Sequence, residues 1–128
     1  MTPPSYPPNA ATLHDRMLRK QLWVVTTKAV ASREDLDKLL EAHLQHQIRL
    51  EKEGIMFGAG PLSNPDGSPT GTGMIIIRAA SEAEARRIAD QDPFHSSGLR
   101  TYTLQRWSLN EGRLTFTIDF SDQTYRFD

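Results

Sequence analysis

The order in which hydrophobic periodicity changes along residues 21–109 constrains this chain more than any other feature. Leu22-Trp23-Val24-Val25-Thr26-Thr27 is dense in β-branched and aromatic residues and predicts a first strand. Ser32 then caps a helix, with acidic Glu34 and Asp35 complementing the dipole of its first turn. The helix is expected to run to Lys52 or Glu53 and to stop at Gly54, which tolerates the left-handed closing conformation. On a helical wheel Leu36, Leu39, Leu40, Leu44 and Ile48 form one apolar stripe, and His43 and Gln47 lie within it. Ile55-Met56-Phe57 predicts a short second strand, Gly58 to Leu62 a close turn, and Ser63 to Thr72 a surface loop. Met74 to Arg78 is a buried third strand, and Ser81 with Glu84 forms a capping box. The second helix ends near Asp90, because Pro93 disfavours helical geometry before it. Arg100 to Leu109 alternates as a fourth strand. After the Asn110-Glu111-Gly112 turn, Leu114, Phe116, Ile118 and Phe120 alternate with polar residues to predict a fifth.

This order is β-α-β-β-α-β with an extra C-terminal strand, the ferredoxin-like arrangement of the α+β class. Two helices cover one face of such a sheet and leave the other bare. The strands are too apolar for that face to stand in water, so a twofold homodimer with sheets face to face is expected. Residues 1–20 are expected to form a proline-rich N-terminal arm, with a short helix from Thr12 to Lys20 capped by Thr12. Residues 21–128 are expected to form the ferredoxin-like domain.

Composition removes several functional classes. The 15 basic and 16 acidic residues leave a net charge of −1, which offers no electrostatic footprint for nucleic acid. There is no cysteine, so disulfides, thiolate catalysis and cysteine-ligated zinc are excluded. The N-terminus lacks the basic start and apolar stretch of a secretory signal, and Met74-Ile75-Ile76-Ile77 is far short of a membrane span. A cytoplasmic protein with no nucleic-acid or membrane partner is expected.

His43 can take and give protons near neutral pH, and its alternative reading is a core histidine bonded to backbone groups. Asp92 before Pro93 reads equally as a turn-stabilising carboxylate. His43 and His46 share a helix face with Glu41 close by, but no third ligand or oriented outer shell is in view, so no metal and no cofactor are expected. His14 and His95 have no ligand-like neighbours. Gly58-Ala59-Gly60-Pro61 follows a strand but precedes no helix, so it is no phosphate cradle. Its expected role is to line a cleft, with the Gly60 amide available to a ligand oxygen, while Phe94 reads first as a packing residue and otherwise as an apolar wall of that cleft.

Ala42-His43-Leu44, Glu53-Gly54-Ile55, Ala59-Gly60-Pro61-Leu62, Gly73-Met74-Ile75-Ile76, Ala89-Asp90-Gln91-Asp92-Pro93-Phe94 and Gly98-Leu99 occur in that order. Together they resemble the YCII-related (YciI-like) family. The resemblance implies a dimeric α-β barrel whose cleft holds a histidine and an aspartate as the active pair, mapping here to His43 and Asp92. It also implies a fold similar to that of muconolactone isomerase, and relatives that include an enzyme dehydrochlorinating a hydroxyhydroquinone. Where many members carry an arginine this chain has Leu40, and where many carry a tyrosine it has His46. The residues expected around a small-molecule ligand are Gly60, Pro61, Phe94, Gln47 and His46. The expected activity is a lyase or isomerase reaction by proton transfer on a small cyclic or carboxylate metabolite. The alternative is a non-catalytic small-ligand-binding or accessory dimeric module.

Overall fold

A computed structural model describes residues 9–127, so the expectation for the prolines of residues 1–8 lies outside the described residues. The elements are α1 (Ala10–Arg16), β1 (Lys20–Ala29), α2 (Arg33–Lys52), β2 (Met56–Ser63) and β3 (Pro69–Ile77). They continue with α3 (Glu82–Asp90), α4 (Pro93–Ser96), β4 (Arg100–Leu109), β5 (Phe116–Asp119) and β6 (Thr124–Phe127). Two compact units result: one spans Gln21–Ser108, and the other joins the described residues up to Lys20 with those from Leu109 onward. Residues 109–127 therefore group with the N-terminal segment, where a single domain over 21–128 was expected.

In the larger unit the sheet order is β2-β3-β1-β4, and β3 runs antiparallel to both β1 and β2. This is the ferredoxin-like order the sequence implied. Both helices lie on one face, since Leu50 of α2 and Ala85, Ile88 and Ala89 of α3 pack with Val25, Ile75 and Ile77 of the sheet. Complete burial of side chains such as Val25 and Ile77 contributes roughly 1.5–3 kcal/mol each. Ser32 and Ser81 cap α2 and α3 as expected, accepting from the amides of Asp35 and Glu84. Gly54, at φ +75°, follows the end of α2.

Three features depart from the sequence reading. The segment Gly58 to Ser63, expected as a turn and loop, continues β2. Gly60 pairs with Met74 and Pro61 with Gly73, and irregularities fall between Met56 and Gly58 and between Pro61 and Ser63. Proline is admissible here because β2 is an edge strand, where one side of the backbone has no ladder partner. The bulges erase the alternation that would have announced the strand.

The second departure is the facing of α2. Leu36, Leu39, His43, His46 and Leu50 are buried or half-buried, whereas Leu40, Leu44 and Ile48 are 42%, 48% and 54% exposed. The inward row repeats at spacings of three and four, as a helix packed on a sheet requires, and two of its members are histidines. A wheel centred on hydrophobicity alone therefore points too far toward Leu44.

The third concerns the smaller unit. Asn9, not Thr12, caps α1, accepting from the Thr12 amide at 2.9 Å, and the helix ends at Arg16. The C-terminal segment forms two strands rather than one. β5 pairs antiparallel with β6 as a separate two-stranded sheet that leaves Phe116, Ile118, Tyr125 and Phe127 largely exposed.

Candidate active site

Helix α3 stops at Asp90, and the chain turns at Gln91 so that Asp92 can start the short helix α4, with Pro93 in its first turn. One oxygen of the Asp92 carboxylate accepts from the Phe94 amide at 2.9 Å. Both oxygens face Nδ1 of His43, at 2.9 and 2.8 Å. An ionised carboxylate only accepts, so His43 donates from Nδ1, and its neutral form carries its lone pair on Nε2. Among the described residues Nε2 has no hydrogen-bond partner, and it is not sealed from solvent. The imidazole stacks on the Phe94 ring, with centroids 4.4 Å apart and planes 26° apart.

The carboxylate is 3% exposed and the imidazole 17%. Burial pushes the Asp92 carboxyl up, but the His43 hydrogen bond, the Phe94 amide and the neighbouring imidazoles of His43 and His95 outweigh it. They hold Asp92 below the ordinary aspartate value. Asp92 thus stays charged and acceptor-only at neutral pH, the form that fixes the His43 tautomer.

The imidazole lines a cleft of about 600 Å³ between α2 and the β2–β3 hairpin. The α2 wall consists of Leu40, Leu44, Gln47, Ile48 and Glu51, while Met56, Ala59, Gly60, Pro61 and Leu62 form the hairpin wall. Phe94, Thr27 and Arg100 also line it. Of the residues expected near a ligand, Gly60, Pro61, Phe94 and Gln47 are brought to the cleft with His43. His46 is not. It is buried beneath α2, where its Nδ1 accepts from Arg49 at 2.8 Å, and burial lowers its pKa below the ordinary value, with Arg49, His43 and His95 adding and Asp92 opposing. Gly60 lines the cleft from within a strand rather than from a turn.

Arg100 and Thr27 were not singled out in the sequence, because an arginine at a strand start and a threonine in a β-rich run carry no signal of their own. His95, read in the sequence as having no ligand-like neighbours, bonds through Nδ1 to the Ala89 carbonyl at 2.7 Å and through Nε2 to the Thr27 hydroxyl at 2.8 Å. Among the described residues no group of three or more His, Asp or Glu is arranged to hold a metal ion.

The model of the YCII-related domain matches residues 21–108, most of the chain and the whole of the larger unit. The chain belongs to the YCII-related domain family. A solved structure of 5-chloro-2-hydroxyhydroquinone dehydrochlorinase from Burkholderia phenoliruptrix AC1100, in complex with 2,5-dihydroxybenzoquinone, resembles this YCII-related chain at a TM-score of 0.57 and 22% identity. The likeness covers 68% of this chain and 93% of that one. At that identity it supports the shared fold. A comparison with curated proteins returned no significant match. Among the described residues no helix is long and apolar enough to cross a membrane.

Proposed function

We propose that this YCII-related protein is a small lyase or isomerase in which His43 Nε2 removes a proton from carbon next to a carbonyl. The reading is carried by one observation: a histidine lining an open cleft has one nitrogen fixed by a buried, ionised aspartate and the other unclaimed. Asp92 orients the ring and stabilises the imidazolium that forms as the proton arrives. That proton then returns to a different carbon, giving isomerisation, or helps a leaving group depart with the bonding electrons. A mostly apolar wall suits a compact, ring-derived molecule. The dehydrochlorinase, a member of the same fold, is a precedent for elimination from such a ring.

The protein would act as a homodimer. By strand alternation, Val24, Met74, Ile76 and Trp107 lie on the sheet face away from the helices and are only partly buried. A cytoplasmic setting suits a chain without cysteine.

The test is solvent exchange. The wild-type protein and His43→Gln are incubated in D2O with a panel of small cyclic keto acids and lactones. Deuterium is sought by NMR at carbon next to the carbonyl, and chloride release is followed with 5-chloro-2-hydroxyhydroquinone. Exchange or chloride release by the wild type, reduced by about 10²–10⁴ in the variant, is expected. A variant as active as the wild type, or a wild type that only binds, overturns the catalytic reading, and the latter result leaves a ligand-binding module.

A further inference from the structure

One strong charge in the cleft takes no part in the proton transfer. Arg100 opens β4 and lines the cleft beside Thr27. Its guanidinium is held by three hydrogen bonds, none of them to a carboxylate. Nε donates to the Thr27 hydroxyl at 2.9 Å, and Nη2 donates to the Thr27 carbonyl at 3.3 Å and the Gly71 carbonyl at 3.0 Å. Among the described residues no Asp or Glu lies within ion-pair distance of it. Nη1 has no partner among them and is not sealed from solvent.

The position of this cation is set from behind. The Ala89 carbonyl can only accept, so His95 donates to it from Nδ1, and neutral His95 accepts from the Thr27 hydroxyl at Nε2. The oxygen of Thr27 is then left to accept from Arg100 Nε. Each link of the chain Arg100–Thr27–His95–Ala89 joins a donor to an acceptor, and the guanidinium cannot swing away without breaking the first of them.

The cleft that Arg100 lines is mostly apolar, with Leu40, Leu44, Ile48, Met56, Leu62 and Phe94 in the same lining and Glu51 the one carboxylate among the lining residues. Burial lowers the Arg100 pKa and Asp92 works against that, but an arginine stays protonated in either case. A half-buried cation with no carboxylate in contact has lost part of its hydration, and the neutral oxygens of Thr27 and Gly71 satisfy Nε and Nη2 but not Nη1. Nη1 is left to donate a charge-assisted hydrogen bond, for which an oxyanion such as a carboxylate is the strongest acceptor.

We propose that Arg100 is the anion anchor of the cleft. The ligand is a ring-sized, mostly apolar molecule bearing one planar oxyanion: a carboxylate, or the vinylogous carboxylate of an ionised hydroxyquinone. The anion sits on Nη1 of Arg100 and the ring lies in the apolar wall. This rests on the cleft being the substrate site, as proposed above, but not on what His43 does there.

Calorimetric titration of the full chain tests it, with 4-chlorobenzoate and 2,5-dihydroxybenzoquinone as anions and 4-chlorobenzamide as the neutral match. The wild type should prefer benzoate to benzamide by about tenfold or more, the worth of one charge-assisted hydrogen bond. Arg100→Gln should remove that preference without weakening the amide, Arg100→Lys should keep part of it, and His43→Gln should keep it whole. Added KCl should weaken benzoate but not benzamide, a readout in the unaltered protein that decides the matter if Arg100→Gln does not fold. Equal affinity for acid and amide, no binding of either anion, or a preference that survives Arg100→Gln overturns the anchor. Benzoate preference without exchange at carbon would defeat the proton-transfer reading alone, and exchange without preference would defeat the anchor alone.

Discussion

Asp92 presents both carboxylate oxygens to Nδ1 of His43, at 2.9 and 2.8 Å, and with one of them also accepts from the Phe94 amide. One side chain thereby orients an imidazole on α2, starts α4, and places the ring that stacks on that imidazole. The turn-stabilising reading of Asp92 is met by its bond to the Phe94 amide, and the same carboxylate also holds His43.

Those roles separate by substitution. Asp92→Asn keeps an oxygen for the Phe94 amide but removes the charge that fixes His43, whereas Asp92→Ala removes both. Urea unfolding should show Asn costing about 1–3 kcal/mol and Ala about 1 kcal/mol more, the usual worth of an N-cap. The 15N shifts of His43 should show loss of the Nδ1–H tautomer preference in both, with exchange activity reduced by about 10²–10⁴. Equal stability for the two variants would refute the capping role.

Stability should rise with pH in two separate windows. His46 is held below its ordinary value of 6.5 in the fold, so as pH falls through 6.5 the unfolded chain takes up this proton first. Its contribution is complete above 6.5 and is lost as pH drops toward the folded value. Asp92 is likewise held below 3.8, and its contribution disappears only as pH falls below that. Urea midpoints measured across pH should therefore show two descents. His46→Gln, which keeps an acceptor for Arg49, should flatten the upper one alone, and an unchanged upper slope would show that His46 does not carry it.

The two apolar rows of α2 should respond differently to truncation. Leu50 is 4% exposed and Ile48 is 54% exposed. Leu50→Ala should cost about 2–5 kcal/mol by leaving a cavity, while Ile48→Ala should cost under about 1 kcal/mol. Ile48→Ala should nevertheless weaken 4-chlorobenzoate binding, because Ile48 lines the cleft. Comparable destabilisation by both would show that Ile48 serves the core instead.

Gly71 holds φ at +76° while its carbonyl accepts from Arg100. A side chain in that conformation costs about 1–2 kcal/mol. Gly71→Ala should lower stability by that amount and, if the strand relaxes, should reduce the benzoate preference by displacing the carbonyl. Unaltered stability would mean that β3 accepts a side chain at Gly71 without strain.

Sequence alone settled what depends on neighbours a few residues away. Ser32, Ser81 and the strand-like runs fixed the order of elements, because capping and periodicity are local. His43 and Asp92 could be nominated as a pair only through motif resemblance, since 49 residues separate them. What sequence could not supply lay where local signals were weak or misleading. Histidines in the inward row of α2 shifted its apparent apolar face, and irregular pairing hid the second half of β2. Arg100 is joined to Thr27 across 73 residues and to Gly71 across 29, and nothing near any of them in the chain announces it. Element order follows from short-range sterics and hydrogen bonding. Which side chains meet in the cleft was decided only when the sheet brought β1, β3 and β4 side by side.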